Sequence, residues 1–173
     1  PAGLNEENDA LKRKINAFSI LLRLGREAFE KKDMYELATH IVNNTRAAFP
    51  FQRSSLIDMR GSSPEIKAQS CQMSVNHNSE YNRELVRFAD LVKGGISGTV
   101  KVTGEFMKQF APNAEDLLNT IKTNTESVLY IVNLAHPSDK ERKGVILWFI
   151  EFAQEQQGSV EPLITLLSRH YAE

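Results

Sequence analysis

The residues best able to do chemistry are His40, His77, His136, His170 and Cys71. A zinc site draws such residues together at short, repeated spacings. Those spacings are absent, so no metal site is expected. His40 and His170 fall at surface positions of helices, while His77 and His136 fall in loops, so all four read as solvated. Other chemistry would need other signatures. Gly-x-Ser-x-Gly exposes a nucleophilic serine, His-Glu-x-x-His holds a hydrolytic zinc, and a phosphate loop ends in Gly-Lys-Ser/Thr. The chain has none of the three. Gly94-Gly95-Ile96-Ser97-Gly98 has the glycines of a phosphate loop but lacks its Lys-Ser/Thr, and reads as a helix stop and a turn. Cys71 lies in a stretch that reads as an alternating strand, so it is expected to be a small packed side chain. A redox thiol would need exposure and a lowered pKa. Asn43-Asn44-Thr45 matches a glycosylation acceptor, but inside a helix it is discounted. The chain is therefore not read as an enzyme.

The totals exclude several classes of partner. The chain has 173 residues, a formal charge of -1, 41% hydrophobic and 25% charged residues. That suits one domain with a substantial core. It makes no electrostatic case for nucleic acid or an anionic membrane. No apolar run approaches the ~18–20 residues that span a bilayer. The first residues lack the basic start and apolar core of a signal peptide, and are expected to be a cut point in a longer protein. One cysteine allows no internal disulfide, which fits a reducing, cytoplasmic setting.

Two apolar runs, 127–134 and 145–152, flank a Pro-, Asp-, Lys-, Arg- and Glu-rich loop and predict a hairpin. Their residues are apolar at nearly every position, so both faces should be covered and the hairpin should lie mid-sheet. Val128, Tyr130, Val132 and Leu134 then point one way, and Leu129 and Ile131 the other. Val145, Leu147 and Phe149 likewise oppose Ile146, Trp148, Ile150 and Phe152. Residues 5–32 read as a long helix with Leu11, Ile15, Phe18 and Leu22 as one apolar stripe. Two readings of it stand: a solvated linker that packs only by its second half, or a parallel helix pair between two copies. Asp33, with Glu36 three residues on, caps a second helix to about residue 48. Strands follow at 53–60 and 66–75, the second nearer an edge. Ser79 caps a third helix ended by Gly94-Gly95, and a short strand covers 99–103. Asn113 caps a fourth helix, and Ser159 a last one. The predicted class is α+β: a central antiparallel sheet of five or six strands, helices on both faces and a long N-terminal helix.

Several joints in that order resemble a GAF domain, a small sensory module related to PAS domains. Gly95-Ile-Ser-Gly-Thr-Val-Lys-Val-Thr-Gly-Glu105 is similar to the family's Gly-Ile-x-Gly-x-Val-x-x-Thr-Gly-Glu segment. Asp33-Met-Tyr-Glu-Leu37, Ala47-Ala-Phe-Pro-Phe-Gln-Arg-Ser-Ser-Leu-Ile57, Glu126-Ser-Val-Leu129 and Lys143-Gly-Val-Ile-Leu-Trp148 resemble its other joints. Residues 74–81 are similar to segments of some bacterial members. The resemblance implies that the first, second and last helices pack on one sheet face. It implies that the third and fourth cover the other and form a small-molecule pocket, and that homodimers form through the terminal helices. A GAF-like domain at 15–173, after a helical linker and dimerisation extension at 1–14, is the expected organisation. Three specialised functions of the family lack their residues here. The Asn-Lys…Phe…Asp-Glu signature of cyclic-nucleotide binders is not found, dithiol sulfoxide reduction needs more than one cysteine, and bilin attachment needs a cysteine beside the pocket.

The expected function is sensory or regulatory, relaying ligand or partner binding through the terminal helices. Its alternative is a structural dimerisation module whose pocket is filled by side chains. Phe88, Val92, Ile96, Val100, Phe106, Met107, Phe110, Leu117 and Ile121 supply the apolar cover of one sheet face, either as filled core or as pocket wall. Tyr130 or Trp148 would form the floor. Arg53, Asp58, Ser70 and Tyr130 are the polar candidates. Leu11, Ile15, Phe18 and Leu22 are the candidates for a dimer interface.

Overall fold

The computed structural model describes residues 2–31, 33–48, 50–60, 63–72, 74–110, 112–134, 146–154 and 160–171. In chain order the strands are β1 (Arg53–Asp58), β2 (Glu65–Gln69), β3 (Thr99–Lys101), β4 (Val128–Asn133) and β5 (Ile146–Phe152). In space they run β2-β1-β5-β4-β3, every neighbour antiparallel. The apolar hairpin is thus central, and every residue of β5 from Leu147 to Phe152 is buried. Its loop, 135–145, lies outside the described residues.

Two helical layers cover the sheet. On one face α1 (Ala2–Phe29), α2 (Met34–Asn44) and α6 (Val160–Tyr171) close over Leu56, Val132, Trp148 and Ile150. On the other, α3 (Glu80–Val92), the short α4 (Gly104–Met107) and α5 (Pro112–Ile121) close over Ile57, Ile131, Leu147 and Phe149. The alternation expected along β4 and β5 holds over the described residues. Among these residues no helix is long and apolar enough to cross a membrane.

Local chemistry sets the boundaries. The Asp33 carboxylate accepts from the Glu36 amide at 2.8 Å and opens α2. The Ser79 hydroxyl accepts from the Asn82 amide at 3.1 Å and opens α3. Both are N-caps. The Ser159 cap lies outside the described residues. Asn113 does not cap α5, because Pro112 already occupies its first turn, where the missing N–H costs nothing. An unanticipated turn of helix, α4, starts where the Thr103 hydroxyl accepts from the Phe106 amide.

Strand β2 ends at Gln69, well short of residue 75, and Cys71 is not in a strand. It sits exposed in the following turn with φ 63°. The turn is held by the Asn43 side chain, which accepts from the Cys71 amide at 2.8 Å. The Arg46 guanidinium lies 3.4 Å from its sulfur. Gly98 shares the left-handed backbone, at φ 64°. There an L side chain crowds the following carbonyl, at roughly 1–2 kcal/mol, against a glycine entropy cost of roughly 0.5–1 kcal/mol. Cys71→Gly is therefore expected to raise stability by about 0.5–1 kcal/mol, and Gly98→Ala to lower it by about 1 kcal/mol or more. Urea midpoints at constant m-value check both.

Candidate functional site

Arg53 and Glu151 face each other directly across β1 and β5. Their side chains project toward α3 and α5, one step along from Ser55 and Phe149. Glu151 is 4% exposed, so its charge needs partners. Thr123, just beyond α5, supplies two. Its hydroxyl donates to one carboxylate oxygen at 2.6 Å and its amide to the other at 3.1 Å. Arg53 stands 4.0 Å from the same carboxylate and donates to the Thr123 hydroxyl at 2.9 Å. Its guanidinium lies 4.1 Å from the ring centroid of Tyr81, the second residue of α3, a cation–π distance. Burial pushes the Tyr81 phenol above its ordinary value, against the pull of Arg53.

Arg53, Tyr81 and Glu151 border a cavity of about 10 Å³, also lined by Ser55, Leu85, Ile121, Leu129 and Phe149. That is room for about one water molecule. A second polar cluster adjoins it. The side-chain amides of Gln69 and Asn82 exchange hydrogen bonds at 2.6 and 3.0 Å, Gln69 also donates to Ser55, and Asn82 to the Asn76 carbonyl. The start of α3 is thereby tied to β1 and β2. A larger depression, about 330 Å³, lies outside this layer at the β2 edge, between Tyr35, Thr39, Ile66, Ala68, Val75 and His77.

The expected pocket residues divide. Phe88, Val92, Ile96, Met107 and Ile121 are buried together under α3 and α5, with Phe106, Leu117, Val100 and Phe110 packed against them. Arg53 stands at the edge of this cluster. Asp58 does not join it. At the far end of β1 it binds Arg60 through both oxygens at 3.0 Å, which holds its carboxyl below the usual range. Ser70 lies in the β2 turn, where its hydroxyl accepts from the Ser54 amide. Tyr130 and Trp148 are on the opposite face and cannot floor this space. The pleat decides it: with Leu129, Ile131, Leu147 and Phe149 toward α3 and α5, the residues between must face α1, α2 and α6. There Trp148 donates to the Ser54 hydroxyl at 2.8 Å. Sequence reasoning missed Glu151, Thr123, Tyr81 and Ser55. The available signal was Glu151 itself, an acid inside a strand predicted to be covered on both faces.

His40 is also corrected. It is not on the surface but buried between α1, α2 and α6. Nε2 faces the Leu24 carbonyl at 3.1 Å and must donate to it. Among the described residues Nδ1 has no hydrogen-bond partner, nor does the Tyr171 hydroxyl, whose ring stands edge-on 6.1 Å away. A carboxylate oxygen of Glu27 lies 3.9 Å from Nδ1. Burial lowers the His40 pKa, and the Lys31 charge adds to this against the Leu24 carbonyl and Glu27. Burial also pushes the Tyr171 phenol far up. His77 is exposed in its loop as expected, and His136 lies outside the described residues. Among the described residues no cluster of three or more His, Cys, Asp and Glu is placed to hold a metal ion.

Two outcomes follow. Glu151→Ala is expected to cost about 2–4 kcal/mol, because it removes two charge-assisted hydrogen bonds and strands Arg53 beside a void. Urea unfolding measures it. His40 has a folded pKa below its ordinary 6.5, so the unfolded chain binds more protons in that window. Its stabilising contribution is complete above pH 6.5 and is lost as pH falls from there through the folded value. Urea midpoints from pH 7.5 to 5.5 should fall more steeply for the native chain than for His40→Gln. Parallel slopes would remove His40 as the cause.

No protein-family model and no curated protein sequence matches the chain. Its structure is similar to that of the GAF domain from a phosphoenolpyruvate-protein phosphotransferase of Coxiella burnetii. The TM-score is 0.55 at 10% identity, over 91% of each chain. It is also similar to the nlh2 GAF domain of A. aeolicus in an inactive state, with TM-score 0.50 at 12% identity, over 92% of this chain and 94% of that one.

Proposed function

We propose that this chain, which has a GAF-like fold, is a non-catalytic regulatory domain that pairs with a second copy along α1 and relays through its terminal helices. The observation that carries the reading is the surface of α1. Leu11, Ile15 and Leu22 are 56, 55 and 52% exposed, while Leu21, Leu24 and Ala28 of the same helix are buried in the domain core. A solvated linker would have little use for an apolar stripe on its outer side. The helix packs against α6, so its position and that of the sheet layer are mechanically linked.

The input in this reading is a small polar molecule that enters beneath α3 and α5 and exchanges contacts with Arg53, Tyr81 and Glu151. It would act by binding one arrangement of the helices more tightly than another. The second reading is a structural pairing domain without a ligand. The cavity of about 10 Å³ favours it, since that space holds no metabolite unless α3 and α5 part.

Native mass spectrometry of freshly purified protein separates these. The expected result is a dimer, and a small molecule released in stoichiometric amount on denaturation supports the sensory reading. A ligand-free dimer favours the structural one, and a monomer at every accessible concentration removes the pairing. Leu11→Glu with Ile15→Glu is expected to weaken the dimer by about 100-fold or more while leaving the fold intact, because both side chains are exposed in the isolated chain. Sedimentation and circular dichroism read the two effects.

A further inference from the structure

Glu27 stands between Arg23 and His40. One carboxylate oxygen lies 3.7 Å from the Arg23 guanidinium, a turn earlier on α1, and the other 3.9 Å from Nδ1 of His40 on α2. Neither separation is that of a made hydrogen bond. Arg23 is exposed, and surface pairs along a helix hold weakly. The His40 side chain is buried, while Glu27 is part-exposed. The carboxylate therefore reaches from water toward a buried ring nitrogen that lacks a hydrogen-bond partner among the described residues. Neutral His40 gives it nothing to bond. The ring's one N–H is on Nε2 and donates to the Leu24 carbonyl, so Nδ1 turns a lone pair toward an anion. A proton on Nδ1 reverses this. Closing the gap by ~1 Å then makes a charge-assisted hydrogen bond. Both ring nitrogens would hold α1, at Leu24 and Glu27, three residues apart on one side of the helix.

We infer that His40 and Glu27 are a proton-operated latch between α2 and α1: charging the ring draws Glu27 away from Arg23 and grips one turn of α1 at two points. The latch is independent of the pairing and of the ligand input proposed above, and the signal it takes is acidity. The groups around the ring set its working range. From α1, Glu27 favours the charged ring, Lys31 opposes it, and Arg23 competes for Glu27. On α2 itself, Glu36 shares a surface depression with His40 and Lys31. From α6 comes Tyr171, whose phenol stays protonated through acid and neutral pH. The sheet side chains beneath, Leu56, Trp148 and Ile150, carry no charge. Burial holds the proton affinity of the ring down, so the latch closes below pH 6.5, and the new ion pair offsets part of the cost of the buried charge. The folded chain still loses stability there, because that cost exceeds what the latch returns.

An NMR titration of the full chain from pH 7.5 downward tests this, followed at the His40 ring nitrogens and the Glu27 carboxylate carbon. Nδ1 is expected to gain the proton, and the Glu27 signal and the amides of residues 23–31 to move with the same midpoint. Glu27→Gln, at a part-exposed position that the fold does not depend on, should weaken proton binding at His40 by ~3- to 10-fold. Arg23→Ala should strengthen it by about twofold, because Glu27 loses its competitor. The two variants thus move the midpoint in opposite directions, which a histidine that only fills space would not do. Equal midpoints in all three proteins overturn the latch. So does a Glu27 signal that ignores the ring, or a chain that unfolds before His40 charges.

Discussion

Strand β5 has no wet side. Six consecutive residues, Leu147 to Phe152, are buried, so the side chains of both its faces need a cover. An antiparallel strand usually leaves one face in water and reads as alternating. Here the sheet must carry a helical layer on each face, and the strand pairing with β1 and β4 decides which residues each layer meets. That one demand places the Trp148 and Ile150 side under α1, α2 and α6, and the Leu147 and Phe149 side under α3 and α5. The two halves of the molecule are therefore not independent. A shift in either layer is felt through the same six residues.

Within this strand Glu151 is the one charge, and the candidate site exists because of it. A buried carboxylate in such a place needs hydrogen-bond donors around it. Arg53 from β1 and Thr123 from just beyond α5 provide them, and Tyr81 from α3 shields the guanidinium. The cluster joins four elements through one acid. Such networks contribute little net stability compared with an apolar core, yet break badly when one member is removed. Groups held in this way are suited to exchange partners, which is the physical basis for placing a ligand input there.

Much of the architecture was legible in the chain. The unbroken apolar runs of β4 and β5 announced a central hairpin, and Asp33 and Ser79 announced two helix starts by the chemistry of their side chains. The exposed stripe of α1 was also visible as spacing. What stayed hidden depended on distant partners. Tyr130 and Trp148 lie in strands correctly located, but which helical layer each sheet face meets is a matter of chain crossing, not of local pattern. His40 read as a surface residue because its acceptor, the Leu24 carbonyl, belongs to another helix. Cys71 read as a strand residue because nothing local reveals that Asn43 reaches across to hold it in a left-handed turn. Glu151 was hidden for the same reason: its partners come from positions 28 and 98 residues away.

Leu21 and Leu22 are neighbours in sequence, yet one is sealed inside the domain and the other stands in solvent. On a helix they are fixed at ~100° to each other. Rotation of α1 about its own axis thus cannot deepen one contact without withdrawing the other, whereas sliding along the axis disturbs both alike. The helix behaves as a keyed shaft. Its natural coordinate is torque rather than displacement.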